Sequence, residues 1–160
     1  MRHPLKNGFT LLEVLLYIAI TATMLGGLVI FMALLTQARV KDQTITEVTA
    51  GGTQLLQFIT QAVHNASAVS VVDSSTLAIS DAAGNQSTIA LSGAAVEWRA
   101  NQAVVPLTSN KIIVNKLVFT PVGEGNQAVR IELILASFNP SGRIESSFNQ
   151  TWYATATLRP

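Results

Sequence analysis

The chain has 160 residues, enough for one domain with an anchor. Only 12% of them are charged, against roughly 25% in soluble domains, and the formal net charge is +1. Beyond residue 36, eight basic residues balance eight acidic ones, so the composition gives no support for electrostatic nucleic-acid binding. The lack of cysteine excludes disulfides, thiolate metal sites and cysteine nucleophiles.

A long apolar run follows a short basic leader that contains Arg2 and Lys6. The 22 residues from Val14 to Leu35 carry no formal charge, and a helix of that length spans about 33 Å, close to a hydrocarbon core of about 30 Å. The buried helix of a soluble protein rarely stays uncharged all round for so long. A secretory signal peptide has a shorter apolar region followed by a small-residue cleavage site. The run therefore predicts a membrane span that stays in the mature protein.

Small residues occur at four-residue spacing within this span. Ala22 and Gly26 form one such pair, and Thr23 and Gly27 form another on the adjacent helix face. We predict helix–helix packing in lipid through Ala22, Gly26 and Gly27, although glycine is common in membrane helices anyway. The basic leader slightly favours a cytoplasmic N-terminus, which would place residues 36–160 outside.

Glu13 lies just inside the apolar run and is the exceptional residue of the span. A charged side chain in lipid is expensive unless something pairs with it. By position alone, this carboxylate could simply reach the headgroups from a helix end.

The stretch Gly8-Phe9-Thr10-Leu11-Leu12-Glu13 resembles the cleavage and methylation motif of type IV prepilins and pseudopilins. The basic leader, the glycine, the phenylalanine and a glutamate at the fifth mature position all match. The resemblance implies that a prepilin peptidase cuts between Gly8 and Phe9 and that the new α-amine of Phe9 is N-methylated. It also implies that Glu13 neutralises the amine of a neighbouring subunit's Phe9 in a helical fibre.

Two departures from many major pilins are visible. A proline midway through the first helix is absent, since the chain runs unbroken through Leu28-Val29-Ile30-Phe31, and a head disulfide is impossible. Both features favour a minor pilin or pseudopilin.

The helical period continues beyond the span as an amphipathic helix over residues 37–66, ending near 65–68. Gly51-Gly52 predicts a bend or a looser segment. The apolar stripe comprises Val40, Ile45, Val48, Leu55, Leu56, Ile59 and Val63.

Residues 67–160 read as a β-rich head. The predicted strands cover 69–72, 76–79, 87–91, 96–99, 104–105, 112–119, 129–135 and 147–158. In the strand 112–119, alternation puts Ile112, Val114 and Lys116 on one face and Ile113, Asn115 and Leu117 on the other. Segments 81–86, 121–125 and 139–142 have loop or turn chemistry. The predicted class is α+β: a long N-terminal helix packed on an antiparallel, pilin-like head.

No residue cluster predicts catalysis, a metal or a cofactor. His64 has no partner at ligand spacing, and Asp73, Asp81 and Glu124 do not form a recognisable calcium loop. Packing is the favoured role of Trp98, Trp152 and Tyr153, with a binding surface as the alternative.

The predicted organisation is a leader (1–8), a transmembrane assembly helix (9–36), an amphipathic helix (37–66) and a head (67–160). The predicted function is structural, not enzymatic. The chain would be a fibre subunit of a pilus, type II secretion-like or competence system, anchored in the inner membrane before joining an extracytoplasmic fibre. Its expected partners are the peptidase, other subunits, the assembly platform and the bilayer. The alternative is a fibre-tip binding module, either an adhesin or a DNA-uptake subunit.

Overall fold

The computed structural model describes residues 10–101, 103–123 and 127–159. A 54-residue helix, α1 (Leu11–His64), is followed by antiparallel strands and a short 3-10 helix at Ile144–Ser146. The predicted α+β class is therefore confirmed. The chain divides after Arg39 into two compact units.

The second unit contains two antiparallel sheets. The five-stranded sheet has the order β1-β2-β3-β4-β5, with strands β1 (Ala68–Asp73), β2 (Thr76–Ser80), β3 (Gln86–Ser92), β4 (Ala95–Ala100) and β5 (Ala103–Pro106). The three-stranded sheet has the order β6-β7-β8, with strands β6 (Ile112–Val122), β7 (Ala128–Ser137) and β8 (Asn149–Thr157). Each strand pairs with its sequence neighbour within its sheet, so both sheets are simple meanders.

One stripe of α1 within this unit supplies the helical side of the core. The buried helix residues recur at spacings of three or four, as an amphipathic helix requires: Val48, Gly52, Leu55, Ile59 and Val63. Alternate residues of β7 are fully buried and belong to the same cluster: Val129, Ile131, Leu133 and Leu135. The helix stripe and the β7 alternation were both predicted, except that Val40 is 38% exposed.

The helix continues through Gly51 and Gly52, where the sequence predicted a bend or a looser segment. A Cβ added at Gly52 would lie within 2.5 Å of Cζ2 of Trp152, and one at Gly51 would meet Cδ1 of Ile112. The two glycines therefore let the helix approach the three-stranded sheet closely, and that close approach is their structural role.

The predicted faces of β6 need a correction. The register shifts between Val114 and Lys116, so Asn115 is the extra residue of a β-bulge. The bulge returns Leu117 to the face of Ile112 and Val114, and all three are buried. Simple alternation placed Leu117 on the opposite face because a bulge adds one residue to the count.

The boundary of β6 also differs from the prediction, because the strand includes Pro121, which the sequence predicts in a loop. Pro121 pairs with Val129. Two residues earlier, the N–H of Phe119 points away from β7 and donates to the carbonyl of Ser74 at 2.8 Å. Pro121 has the same backbone orientation, so its missing N–H removes no bond to β7.

Turns of the five-stranded sheet cover this outer edge of β6. Besides the Phe119–Ser74 bond, the N–H of Val114 donates to the carbonyl of Ala94 at 2.9 Å. These bonds join the two sheets and satisfy donors that an open edge would leave unpaired.

Candidate functional site

Thr10 caps the N-terminus of α1. The backbone N–H of Glu13 donates to the carbonyl of Thr10 at 3.0 Å and to its hydroxyl oxygen at 3.3 Å. This is the N-cap half of the Thr-x-x-Glu capping pattern. The sequence interpretation missed this role of Thr10, although the four-residue signature was readable.

The Glu13 carboxylate has an internal partner. The hydroxyl of Tyr17, one helical turn later, donates to Oε1 of Glu13 at 3.3 Å. Residues four apart lie on the same side of a helix, so this spacing was available as a signal and was also missed.

Gly8 and Phe9 lie outside the described residues. Predictions about cleavage between them, methylation of Phe9 and its pairing with Glu13 therefore stay predictions. What the structure adds is the position of Glu13 in the first turn of a capped helix, half-buried by its own neighbours.

The helix up to Leu35 is long and apolar enough to cross a membrane. Mean hydropathy reaches 2.4 over 18 residues, and none of that stretch is buried within the protein. The threonine hydroxyls are satisfied within the helix: those of Thr21, Thr23 and, just after Leu35, Thr36 donate to carbonyl oxygens of the preceding turn at 2.7 to 3.1 Å. A hydrocarbon environment requires such internal satisfaction. A signal sequence near an N-terminus would pass the same test of length and composition.

Ala22, Gly26 and Gly27 are exposed on this helix. No heavy atom of the described chain outside the local helix lies within 4 Å of a Cβ built on either glycine. The surface is therefore accessible to another helix, and packing there stays a prediction.

The aromatic residues of the head mostly pack. Trp98 meets Phe58 edge to face, with ring centroids 5.3 Å apart, and Trp152 lies against Gly52. Packing is confirmed for both tryptophans. Tyr153, in contrast, is 71% exposed.

The carboxylates of Asp81 and Asp73 accept hydrogen bonds from groups within their own turns. Oδ1 of Asp81 accepts the backbone N–H groups of Ala83 and Asn85 at 2.8 and 2.9 Å, and Oδ2 accepts the side-chain amide of Asn85 at 2.8 Å. The Asn85 amide, followed by the backbone donors, lowers the pKa of Asp81. Asp73 likewise accepts the backbone N–H and hydroxyl of Ser75, which lower its pKa.

Among the described residues, no group of three His, Asp or Glu side chains is placed to hold a metal ion. Glu124 lies outside those residues, and His64 is exposed at the last turn of α1.

Several head cations are neutralised by carboxylates. Lys111 meets Glu47 at 2.6 Å, and Lys116 meets Glu132 at 2.8 Å. These pairs are largely solvated, so they add little stability, but they reduce the free positive charge available to a polyanion.

Comparisons with known protein families, curated proteins and solved structures found no match. The architecture itself, one long apolar N-terminal helix followed by antiparallel sheets, is compatible with a pilin-like fold.

Proposed function

We propose that the chain is a minor pilin or pseudopilin: a structural subunit of a pilus, type II secretion-like or competence fibre. In this proposal a prepilin peptidase cuts it between Gly8 and Phe9. The observation that carries the proposal is Glu13, a carboxylate in the first turn of a helix whose next 22 residues are uncharged and exposed. Gly8-Phe9 precedes it at the spacing of the prepilin motif.

Glu13 has a physical reason to pair with an amine between subunits. A lone carboxylate among apolar helices is costly unless it is paired, and an α-amine with a pKa near 8 is cationic at neutral pH. Pairing the amine of Phe9 in one subunit with Glu13 in the next would make axial register depend on charge, because any other register leaves a carboxylate uncompensated.

The exposed apolar helix supports two successive locations for the subunit, first the membrane and then the fibre. Single apolar side chains on a protein surface are ordinary, but a continuous apolar surface of this length must be shielded from water by lipid or by another protein. The bilayer would supply that cover first, with the N-terminus cytoplasmic and the head outside. Other subunits would supply it after the assembly platform transfers the chain into a fibre.

The absence of proline from α1 and of cysteine from the chain favours the minor or pseudopilin kind over a major fibre subunit.

The first test is processing. The full chain is coexpressed with a prepilin peptidase, and the mature N-terminus is measured by mass spectrometry. We expect a methylated Phe9 at the N-terminus, and a block or slowing of the cut in Gly8→Ala because the peptidase meets an extra methyl group. An uncut chain, or a cut beyond residue 30, would contradict the proposal and favour a signal sequence.

The second test separates assembly from processing. Glu13→Ala should be cut normally and retain a folded head, yet enter fibres poorly. Fibre content is measured in sheared preparations, with Gly8→Ala as the matched variant that fails one step earlier. Normal fibre content of Glu13→Ala would refute the pairing.

A further inference from the structure

Four polar side chains occur between Leu11 and Leu35: Glu13, Tyr17, Thr21 and Thr23. The two threonine hydroxyls donate to carbonyl oxygens of their own helix. Tyr17 differs, because its hydroxyl donates to Oε1 of Glu13 at 3.3 Å. Among the polar side chains of this apolar segment, the phenol is therefore the donor directed at the carboxylate.

The bond benefits both groups while the subunit lies alone in lipid. An unpartnered phenol and an unpartnered carboxylate are each costly in an apolar medium. A hydrogen bond to a charged acceptor is stronger than a neutral one, although 3.3 Å is long for a bond between oxygens.

A carboxylate has two oxygens and about four acceptor positions. The Tyr17 bond uses one position on Oε1 and restricts the rotation of the Glu13 side chain. Oε2 keeps its capacity to accept, so an incoming donor need not displace the phenol. Fixing the acceptor in advance lowers the entropy lost when that donor binds.

We propose that Tyr17 is a positioning residue: its hydroxyl holds the Glu13 carboxylate so that Oε2 receives the α-amine of a neighbouring subunit. This inference rests on the proposed assembly function and deepens it. In this proposal Tyr17 acts on the amine through Glu13.

The test compares Tyr17→Phe, which removes only the hydroxyl, with Thr21→Val. The control loses a hydroxyl one turn further along the same helix, where it bonds the carbonyl of Tyr17 and not Glu13. Each full-length variant competes with the unaltered chain for entry into fibres. We expect Tyr17→Phe to enter about fivefold less well, a typical effect of losing one hydrogen bond, and Thr21→Val to enter normally. Both should be cut at the normal site.

A second readout examines the carboxylate directly. Infrared spectra are recorded on full-length chains in bilayers with carbon-13 in the glutamate carboxyl groups. The Glu13 band is identified by its loss in Glu13→Gln. Tyr17→Phe should shift this band, because the carboxylate loses a hydrogen-bond donor, and Thr21→Val should leave it in place. A merely structural role of the ring would not move it.

The outcomes separate the two proposals. Normal fibre entry or an unmoved Glu13 band in Tyr17→Phe overturns the role of Tyr17, and so does an equal loss of entry in Thr21→Val. Normal fibre entry of Glu13→Gln overturns the pairing of Glu13 with the amine, and the role of Tyr17 with it. An uncut full-length chain instead overturns the proposed function, whatever Tyr17 does.

Discussion

Gly52 of α1 lies directly under the indole of Trp152 on β8, so that a Cβ on the glycine would come within 2.5 Å of Cζ2. This contact sets how closely the helix can approach the three-stranded sheet. Gly51, its neighbour, would place a Cβ only against the flexible end of Ile112. The two glycines are adjacent in sequence but differ in what surrounds them.

Gly52→Ala should therefore destabilise the head, and Gly51→Ala should not. An alanine gains about 1 kcal/mol of helix propensity over glycine, while overpacking costs about 1–3 kcal/mol. The indole is rigid and cannot yield cheaply, so we expect a net loss of about 1–2 kcal/mol for Gly52→Ala. The end of Ile112 can rotate, so Gly51→Ala should be near neutral. Denaturant unfolding of the full chain in detergent, followed by circular dichroism, measures both, and equal effects would contradict the distinction.

Gly26→Ala and Gly27→Ala should leave the subunit's stability unchanged, because an added methyl group there meets no described atom within 4 Å beyond the local helix. If this face packs on another helix, the methyl groups should weaken association by roughly 1 kcal/mol, or about fivefold. Energy transfer between labelled full-length chains in bilayers measures this. Leu28→Met, on the opposite side of the helix, is the control. Unaltered association in both glycine variants would argue against packing on this face.

Deleting Asn115 should be tolerated, and deleting Val118 should not. Without the bulge residue, Val114 and Leu117 keep the same face in a regular two-residue alternation. Deleting Val118 would turn Phe119, only 2% exposed, toward solvent or force the strand to slip. We expect the first full-length variant to unfold cooperatively and the second to aggregate or lose its unfolding transition. The reverse order would refute the assignment of the bulge.

Loss of the negative charge of Asp81 should make the head less stable in acid. The bonds from Asn85 and the turn N–H groups hold its folded-state pKa below the ordinary value, so the ionised form is the stabilising one. This stabilisation is present above pH about 4 and is lost as the pH falls through the lowered pKa. Asp81→Asn should therefore reduce the fall in unfolding midpoint between pH about 6 and about 3. Asp42→Asn, an equal change of charge on exposed helix surface, is the control, and identical pH profiles for both variants would contradict the prediction.

Much of the fold was readable from local pattern. The hairpin between β2 and β3 and the half-buried alternation of β7 follow from turn chemistry and periodicity, which act over a few residues. The same local signals predicted the end of α1 near residues 65–68, and the helix ends at His64. The bulge at Asn115 was not readable, because one extra residue inside an apolar strand leaves no compositional mark. Pro121 was misplaced for a similar reason: its tolerance depends on which way its missing N–H would point.

The candidate site also has a part that the sequence predicts and a part that the structure adds. Glu13 and the residues before it form a linear motif, so the sequence alone supplies the processing and assembly hypothesis. Thr10 and Tyr17 also left a signal in the sequence, through the Thr-x-x-Glu signature and the four-residue spacing from Glu13. The structure shows that their hydroxyls do contact Glu13, at its backbone N–H and at Oε1.

The sequence by itself determined that this chain has an uncharged helical segment long enough for a membrane, a carboxylate at its start and a β-rich remainder, because these features depend on composition and local period. Only the tertiary structure decided that Gly51 and Gly52 serve close packing, that Asn115 restores the face of Leu117, and that the turns at Ser74 and Ala94 cover the edge of β6. Those features depend on contacts between residues distant in the chain, and no local pattern encodes which atoms will meet.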